Sequence, residues 1–131
     1  MPNEPLWLPI EVVIDLNRAL VAITGEQHFL RDRGLLESAL ARPQNAFAYG
    51  EEDIVALAVR LMAGIAQAHA FEQGNKRTAF VALRLFLHPN GFDLAIDDSE
   101  AWAEPVISLI EHRSTEEDFA RAVRRYVVPR P

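Results

Sequence analysis

One short stretch of the chain combines a base, a conformationally free backbone position, an amide and two cations. The residues are His69, Gly74, Asn75, Lys76 and Arg77. A helix N-terminus presents unpaired backbone N–H groups and a partial positive charge. A glycine there lets the backbone approach an anion closely, and two adjacent cations add full charge. The residue types and their spacing therefore predict a phosphate site with a base beside it.

Each of these residues also has an ordinary structural explanation. His69 ends an apolar stripe, a position typical of a partly buried structural histidine, and Gly74 and Asn75 are common where helices start. Their combination with two cations favours an anion or nucleotide site. The stretch is not a P-loop, because it lacks the earlier glycine of that motif and follows a helical pattern, not a strand.

The other polar clusters indicate structure more than chemistry. His28 lies in a polar segment, and His88 and His112 fall at helix C-termini, where a cation is favoured. No histidine pair has the spacing of zinc ligands. The acidic runs Glu51–Asp53 and Glu116–Asp118 match the dipole of helix N-termini, so they are interpreted as solvated helix ends.

Two helices must position the stretch. The first carries apolar residues at three- and four-residue spacing from Ile54 to Ile65, with Asp53 placed to cap it and His69 extending its buried stripe. The second, Lys76 to Leu87, is apolar almost all round and belongs in the centre of a bundle. The turn His88–Gly91 stops it.

The N-terminal part of the chain predicts two further helices. Apolar residues at helical spacing predict one between Pro9 and Gly25. Asp32 can cap a short helix, Leu35–Ala41, which Pro43 is expected to end because proline disfavours a helical residue before it. The residues 44–50 are then expected to form a loop.

After the two central helices, the helical spacing of the apolar residues becomes less regular. Phe92–Ile96 alternates and predicts a short extended piece. Asp97 and Glu100 have capping-box spacing, but Pro105 limits how far a helix from there can run. The main helix is therefore expected from about Pro105 to His112.

Ser114 with Glu117 predicts a capping box that opens the last helix, whose apolar face includes Tyr126 and Val127. Residues 1–5 hold two prolines and predict a loose N-terminus. The whole pattern predicts an all-α fold, a single-domain bundle of about six helices spanning residues 1–131, without a substantial sheet.

Composition narrows the class of protein. The chain has 131 residues, of which 50% are hydrophobic, enough for the core of one domain. It has no cysteine, which fits a reducing compartment, and we expect it to be cytoplasmic, since neither a membrane span nor a signal peptide is evident. The net charge of −6 disfavours direct binding to nucleic acid.

The segment His-x-Phe-x-x-Gly-Asn-Lys-Arg, residues 69–77, resembles the core motif of the Fic/Doc family, in its death-on-curing (Doc) toxin branch. Residues 31–44 and 85–91 also resemble that branch, and the resemblance extends over most of the chain, from about Leu8 to Val127. It implies the helical Fic/Doc fold.

The resemblance also implies roles for the motif residues. His69 would be the general base for a target hydroxyl, a task that suits an imidazole titrating near neutral pH. Gly74 and Asn75, with the helix N-terminus, would form the anion hole, and Arg77 would bind a phosphate of ATP.

Two departures from the Fic pattern concern which part of ATP is transferred. Fic adenylyltransferases have glycine where this chain has Lys76, and many have an arginine where it has Phe80. In Doc-like toxins a lysine at the first position accompanies a reversed nucleotide, so that the γ-phosphate is transferred. Both departures favour a kinase over AMP transfer.

A third departure concerns Mg²⁺. The family usually has Asp or Glu at the position of Gln73, and a neutral amide is a poorer ligand for a hard dication than a carboxylate. Glu72 is adjacent, but on a regular backbone it projects differently. The metal ligand is therefore either Gln73, binding weakly or through water, or Glu72 in a loop of altered register.

The resemblance implies a toxin that phosphorylates a threonine or serine hydroxyl of a protein, elongation factor Tu by analogy, and arrests translation. Alternatives are AMP transfer, or a binding module that has lost its chemistry, which Gln73 keeps open. The chain lacks the Ser/Thr-x-x-x-Glu-Gly/Asn sequence of self-restrained Fic proteins. An antitoxin whose C-terminal segment folds into a helix on binding is therefore the expected partner.

Overall fold

Helices make up nearly all the regular structure of the chain. A computed structural model describes residues 3–96 and 100–131. Its six α-helices are α1 Ile10–Ile23, α2 Arg33–Ala48, α3 Ile54–Ala68, α4 Asn75–Leu87, α5 Ala103–Ile110 and α6 Glu116–Arg124. Single turns of 3-10 helix follow α4 at His88–Asn90 and precede α5 at Glu100–Trp102. The prediction of an all-α fold with about six helices is confirmed.

The third helix occupies the centre of the bundle. Ten of the fifteen residues of α3 are buried, and the helix packs against α2, α4, α5 and α6. In α4 seven of thirteen residues are buried, and its first turn exposes Lys76 and Arg77, so α3 is the more central of the two. In the part of the chain that the structure describes, no helix is both long and apolar enough to cross a membrane.

The predicted helix starts hold in the first half of the chain. Pro9 precedes α1 in an extended conformation, and the helix ends just before Gly25, which has a positive φ. Asp32 caps α2 by accepting from the Leu35 N–H at 3.0 Å, and Asp53 caps α3 by accepting from the Val55 N–H at 3.0 Å. Each cap satisfies an N–H that the helix leaves free.

The prediction that Pro43 ends α2 is wrong. The helix continues through it to Ala48, so residues 44–48 are helical and not a loop. A proline inside a helix removes one hydrogen bond and presses on the carbonyl four residues earlier, here Ala39. Pro43 is buried, and the Ala39 carbonyl lies against α3, where a Cβ on Gly64 would be 3.2 Å from its oxygen. Packing against α3 therefore offsets the lost bond.

The end of the chain forms a strand where a helix was expected. β1, Phe92–Leu94, is the predicted extended piece, and it pairs antiparallel with β2, Val127–Pro129. The Ala95 N–H also donates to the Tyr126 carbonyl at 2.7 Å. Because these backbone groups pair with β1, α6 stops at Arg124, and the prediction that Tyr126 and Val127 are helical is wrong.

The caps of the last two helices differ from the prediction by small shifts. Thr115 and Asp118 form the capping box of α6, so the Ser114–Glu117 box is wrong by one residue. Pro105 is the third residue of α5, inside the first turn, where its missing N–H would be free in any case. The predicted Asp97–Glu100 box lies outside the described side chains.

Candidate active site

His69 ends α3 in a left-handed conformation, with φ of 50°. Its side chain is exposed, so the prediction that it extends the buried stripe is wrong. The left-handed residue turns the chain away from the helix axis, and the next two residues, Ala70 and Phe71, enter the core in its place. The imidazole is thereby left accessible to a substrate.

The loop after His69 is held by the segment that precedes α2. Leu30 and Phe71 form an antiparallel bridge, flanked by a bond of 2.8 Å from the Arg31 N–H to the Ala70 carbonyl. The Arg31 guanidinium also donates to the His69 carbonyl at 3.1 Å. These bonds fix the backbone on which the candidate base stands.

Asn75 closes the loop with its side chain. The Phe71 N–H donates to its Oδ1 at 3.1 Å, and its Nδ2 donates to the Phe71 carbonyl at 2.8 Å. Both ends of the amide are therefore engaged within the loop. Of the anion-binding groups expected at Asn75, the backbone N–H remains available at the start of α4.

A buried polar cluster contacts the loop after His69 from the interior of the protein, and the sequence did not predict it. Asn17 of α1 is fully buried, with its Nδ2 donating to the Gln73 carbonyl at 2.8 Å and to the Thr78 hydroxyl at 3.0 Å. The available signal was a polar residue on the apolar face of α1, between Val13 and Val21. Its partners lie about sixty residues away, so its role could not be read from the local pattern.

His28 completes this cluster. Its Nδ1 lies 2.8 Å from Asn17 Oδ1, and its ring is tilted against that of Phe71, with the ring centres 6.0 Å apart. Burial lowers the pKa of His28, and the nearby Arg18 lowers it further, while Asp15 opposes the shift. The ring is therefore neutral at pH 7, which suits its half-buried position.

Gly74 directly precedes α4, in a conformation that favours glycine. Its φ is 76°, and a Cβ would lie 2.9 Å from Val21 Cγ1, so a side chain would both strain the backbone and collide with α1. No side chain of a described residue caps the helix there. The first backbone bond at this end runs from the Thr78 N–H to the Gly74 carbonyl, so the preceding N–H groups are free to bind an anion.

Lys76 and Arg77 are exposed in the first turn of α4. Neither forms a hydrogen bond or ion pair with another residue within 3–96 or 100–131. A cation held by a carboxylate would be partly neutralised, whereas these two keep their charge for a ligand. The structure thus brings all the predicted anion-binding residues to one helix end, with His69 on the same loop.

The two candidate metal ligands differ in their surroundings. The Glu72 carboxylate lies 3.6 Å from Arg31 Nε, an exposed ion pair, and the Glu72 N–H donates to the Phe29 carbonyl at 2.9 Å. Gln73 has an exposed side chain. The described residues contain no group of three or more His, Cys, Asp or Glu side chains that could hold a metal. A metal here would therefore depend on phosphate oxygens for most of its ligands.

A cavity of about 620 Å³ lies elsewhere, between the start of α3 and α6, where Asp53, Arg60, Glu116 and Arg124 are among its lining residues. Its lining residues Asp53 and Arg60 precede His69 by roughly 24 and 13 Å along α3, at 1.5 Å per residue. The candidate base and the candidate anion-binding residues therefore lie at the helix break and not in this cavity.

The fold is a helical bundle with an exposed histidine at the end of α3 and two exposed cations in the first turn of α4. The sequence profile of the Fic/DOC family matches residues 7–87, and the chain belongs to that family.

Two relatives are similar over most of its length. One, named Toxin Doc, from Mycolicibacterium smegmatis, is 40% identical over 110 residues, which cover 82% of this chain and 83% of that protein. The other, named Protein kinase doc, from Escherichia phage P1, is 28% identical over 116 residues, which cover 88% of this chain and 90% of that protein.

Proposed function

We propose that this chain is the toxin of a toxin–antitoxin pair, and that it transfers the γ-phosphate of ATP to a threonine or serine hydroxyl of a protein. The observation that carries the proposal is an exposed His69 one loop away from the uncapped N-terminus of α4, with Lys76 and Arg77 in its first turn. The names of the two relatives, a toxin and a protein kinase, support the same class. By the family resemblance, the target is elongation factor Tu.

In the proposed reaction, His69 accepts the proton of the target hydroxyl as its oxygen bonds to the γ-phosphorus. The bond from that phosphorus to the β–γ bridging oxygen breaks, and ADP leaves with the electron pair. A positioned base of this kind contributes about 10²–10⁴ in rate. The exposure of His69 suits this role, because the target hydroxyl arrives on another protein.

The charge of the transferred group needs stabilisation, which the helix start can supply. Free backbone N–H groups and the cations Lys76 and Arg77 provide hydrogen bonds and positive charge at one place. Mg²⁺ bound with the nucleotide would add positive charge at the phosphates. Glu72 or Gln73 would hold it, together with phosphate oxygens, as is usual for Mg²⁺ in phosphoryl transfer.

The position of the label in ATP separates the alternatives. The purified chain is incubated with elongation factor Tu and ATP labelled at either the α- or the γ-phosphate. Transfer of the γ-label alone is expected. Transfer of the α-label would mean AMP transfer and would contradict the proposed kinase. No transfer of either label, from folded protein with Mg²⁺ present, would favour the binding module that Gln73 keeps open.

An antitoxin partner is part of the proposal. One side of α1 carries four apolar residues at helical spacing, exposed at its two ends and half-buried between them, which we name the α1 stripe: Val12, Leu16, Leu20 and Ile23. Val12 is 38% exposed and Ile23 is 72% exposed. An amphipathic helix that folds on binding could cover such a stripe with its own apolar face. We infer that the C-terminal segment of the antitoxin does so.

A further inference from the structure

One buried side chain holds the peptide between Gln73 and Gly74. Asn17 Nδ2 donates to the Gln73 carbonyl at 2.8 Å. A carbonyl only accepts hydrogen bonds, so this contact fixes which end of the Asn17 amide is the nitrogen. Its Oδ1 therefore faces His28 and accepts from Nδ1 at 2.8 Å. With the second Nδ2 hydrogen on Thr78, the amide has all its hydrogens engaged and cannot rotate without breaking bonds.

The orientation of the peptide between Gln73 and Gly74 determines the direction of the Gly74 N–H. In a trans peptide the C=O and N–H bonds point in opposite directions, and the described residues contain no cis peptide. Because the Gln73 carbonyl points inward to Asn17, the Gly74 N–H points away from the core. A flip of the peptide would turn that N–H inward, and a glycine resists such a flip less than any other residue.

The protein also holds other carbonyls of the loop and of the start of α4. Its carbonyls at four further positions accept from protein donors: His69, Ala70, Phe71 and Gly74. The N–H of Gly74 has no acceptor among the described residues, in common with those of the first turn of α4. The carbonyls are thus held by the protein, while the N–H groups at the helix start are left for a ligand.

We propose that Asn17 is a positioning residue of the phosphate site: by holding the Gln73 carbonyl, it directs the Gly74 N–H outward to donate to a phosphate oxygen. His28 supports this arrangement by holding the other end of the amide. The inference rests on the proposed function in assigning a phosphate to the start of α4. It adds Asn17 of α1, which is distant in sequence from the site. The hydrogen bond from Asn17 determines whether the Gly74 N–H is available as a donor.

The test compares two asparagines with similar hydrogen bonding. Asn17→Asp removes the donor and places a carboxylate oxygen against the Gln73 carbonyl, which should drive the peptide to flip. Asn90→Asp is the matched control, because Asn90 also donates to two backbone carbonyls, of Phe86 at 2.7 Å and Leu6 at 3.0 Å, at the far end of α4.

Inorganic tripolyphosphate is the probe, with affinity measured by calorimetry. Loss of one hydrogen bond to a charged group should weaken binding by about 10- to 100-fold in Asn17→Asp. Asn90→Asp should bind within about twofold of the unmodified protein. If Asn17→Asp, folded by circular dichroism, binds tripolyphosphate as tightly as the unmodified protein, the inference is overturned.

The amide resonance of Gly74 provides a second measurement that needs no variant. In the unmodified protein, it should shift on titration with tripolyphosphate, together with those of Lys76 and Arg77. A shift at the two cations without one at Gly74 would overturn the role of Asn17 while leaving the phosphate site in place. Absence of any binding by the unmodified protein would instead overturn the phosphate site and the proposed function with it. Asn17→Ala, which introduces no buried charge, serves if the aspartate variant does not fold.

Discussion

At the scale of single residues, the proposed reaction depends most on His69. Its backbone is held by Arg31 and by the bridge between Leu30 and Phe71, while its imidazole is exposed. The backbone around it does not need the imidazole, so the side chain can be removed without loss of the loop.

His69→Ala is therefore expected to lower phosphoryl transfer by about 10²–10⁴ while leaving the fold intact. Transfer from γ-labelled ATP and growth of a sensitive bacterial host measure the effect, with circular dichroism as the control for folding. Growth arrest by soluble His69→Ala protein would show that another group is the base.

The proposed binding of Mg²⁺ leads to a second prediction. Gln73→Glu should lower the Mg²⁺ concentration needed for half-maximal transfer, because it restores a charged hard ligand beside the phosphates. A titration of transfer activity with Mg²⁺ measures this.

Glu72→Gln is the matched variant for this test. If Glu72→Gln, and not Gln73→Glu, shifts the Mg²⁺ requirement, the ligand is Glu72. That carboxylate would then have to leave its ion pair with Arg31 to bind the metal.

At the scale of elements, the sequence correctly predicts helix starts that are determined by neighbouring residues. The prediction fails where contacts between residues distant in sequence determine the structure. The caps Asp32 and Asp53 follow from short-range pattern and are confirmed. Pro43 breaks the local rule, since Pro43 is buried and the packing of α2 against α3 outweighs a missing hydrogen bond. The strand at Val127 depends on a partner more than thirty residues earlier. For the same reason, the sequence indicates the candidate anion-binding residues of one stretch, but not the contact of Asn17 with the Gln73 carbonyl beside them.

Asp53 joins two elements, because it caps α3 and also pairs with Arg124 near the end of α6. Asp53→Ala loses both contacts and should lower the free energy of unfolding by about 1–2 kcal/mol. Asp53→Asn keeps the cap, and its cost should be at most about 1 kcal/mol, because the ion pair is partly exposed and screened. Denaturant unfolding of both variants measures the difference.

The pair of Asp53 and Arg124 also makes the stability of the protein depend on pH. The hydrogen bond from Arg124 lowers the pKa of Asp53 below its ordinary value of 3.8. Its contribution to stability is therefore present above pH 3.8 and is lost as the pH falls through the lower pKa of the folded state. The difference in stability between the unmodified protein and Asp53→Asn should shrink over that acidic range. A difference that stays constant down to pH 2 would contradict the pair.

At the scale of the whole molecule, the α1 stripe leaves apolar surface exposed, chiefly at Val12 and Ile23. If an antitoxin covers it, expression of the chain alone should arrest growth. Co-expression with the product of a neighbouring short open reading frame should restore growth, and the two proteins should co-purify. Harmless expression of the full chain alone, with His69 intact, would count against both the toxin and its external inhibitor.

Ile23→Asp tests the surface itself. A charge at this position should weaken capture of the antitoxin by about 10- to 100-fold, since burying an isoleucine side chain contributes about 1.5–3 kcal/mol. Tyr49→Asp is the control, because Tyr49 is 94% exposed but lies at the end of α2, outside the stripe. Equal loss of capture in both variants would place the antitoxin elsewhere.

The backbone of His69 has a consequence for how the protein can be improved. A left-handed conformation costs a histidine more than an asparagine or a glycine, by up to about 1 kcal/mol. Replacement of His69 by asparagine would lower this backbone strain and would also remove the proposed base. Under the proposed reaction, laboratory evolution that selects only for resistance to heat would therefore enrich inactive proteins at residue 69. The proposed function thus sets stability against catalysis at this one position.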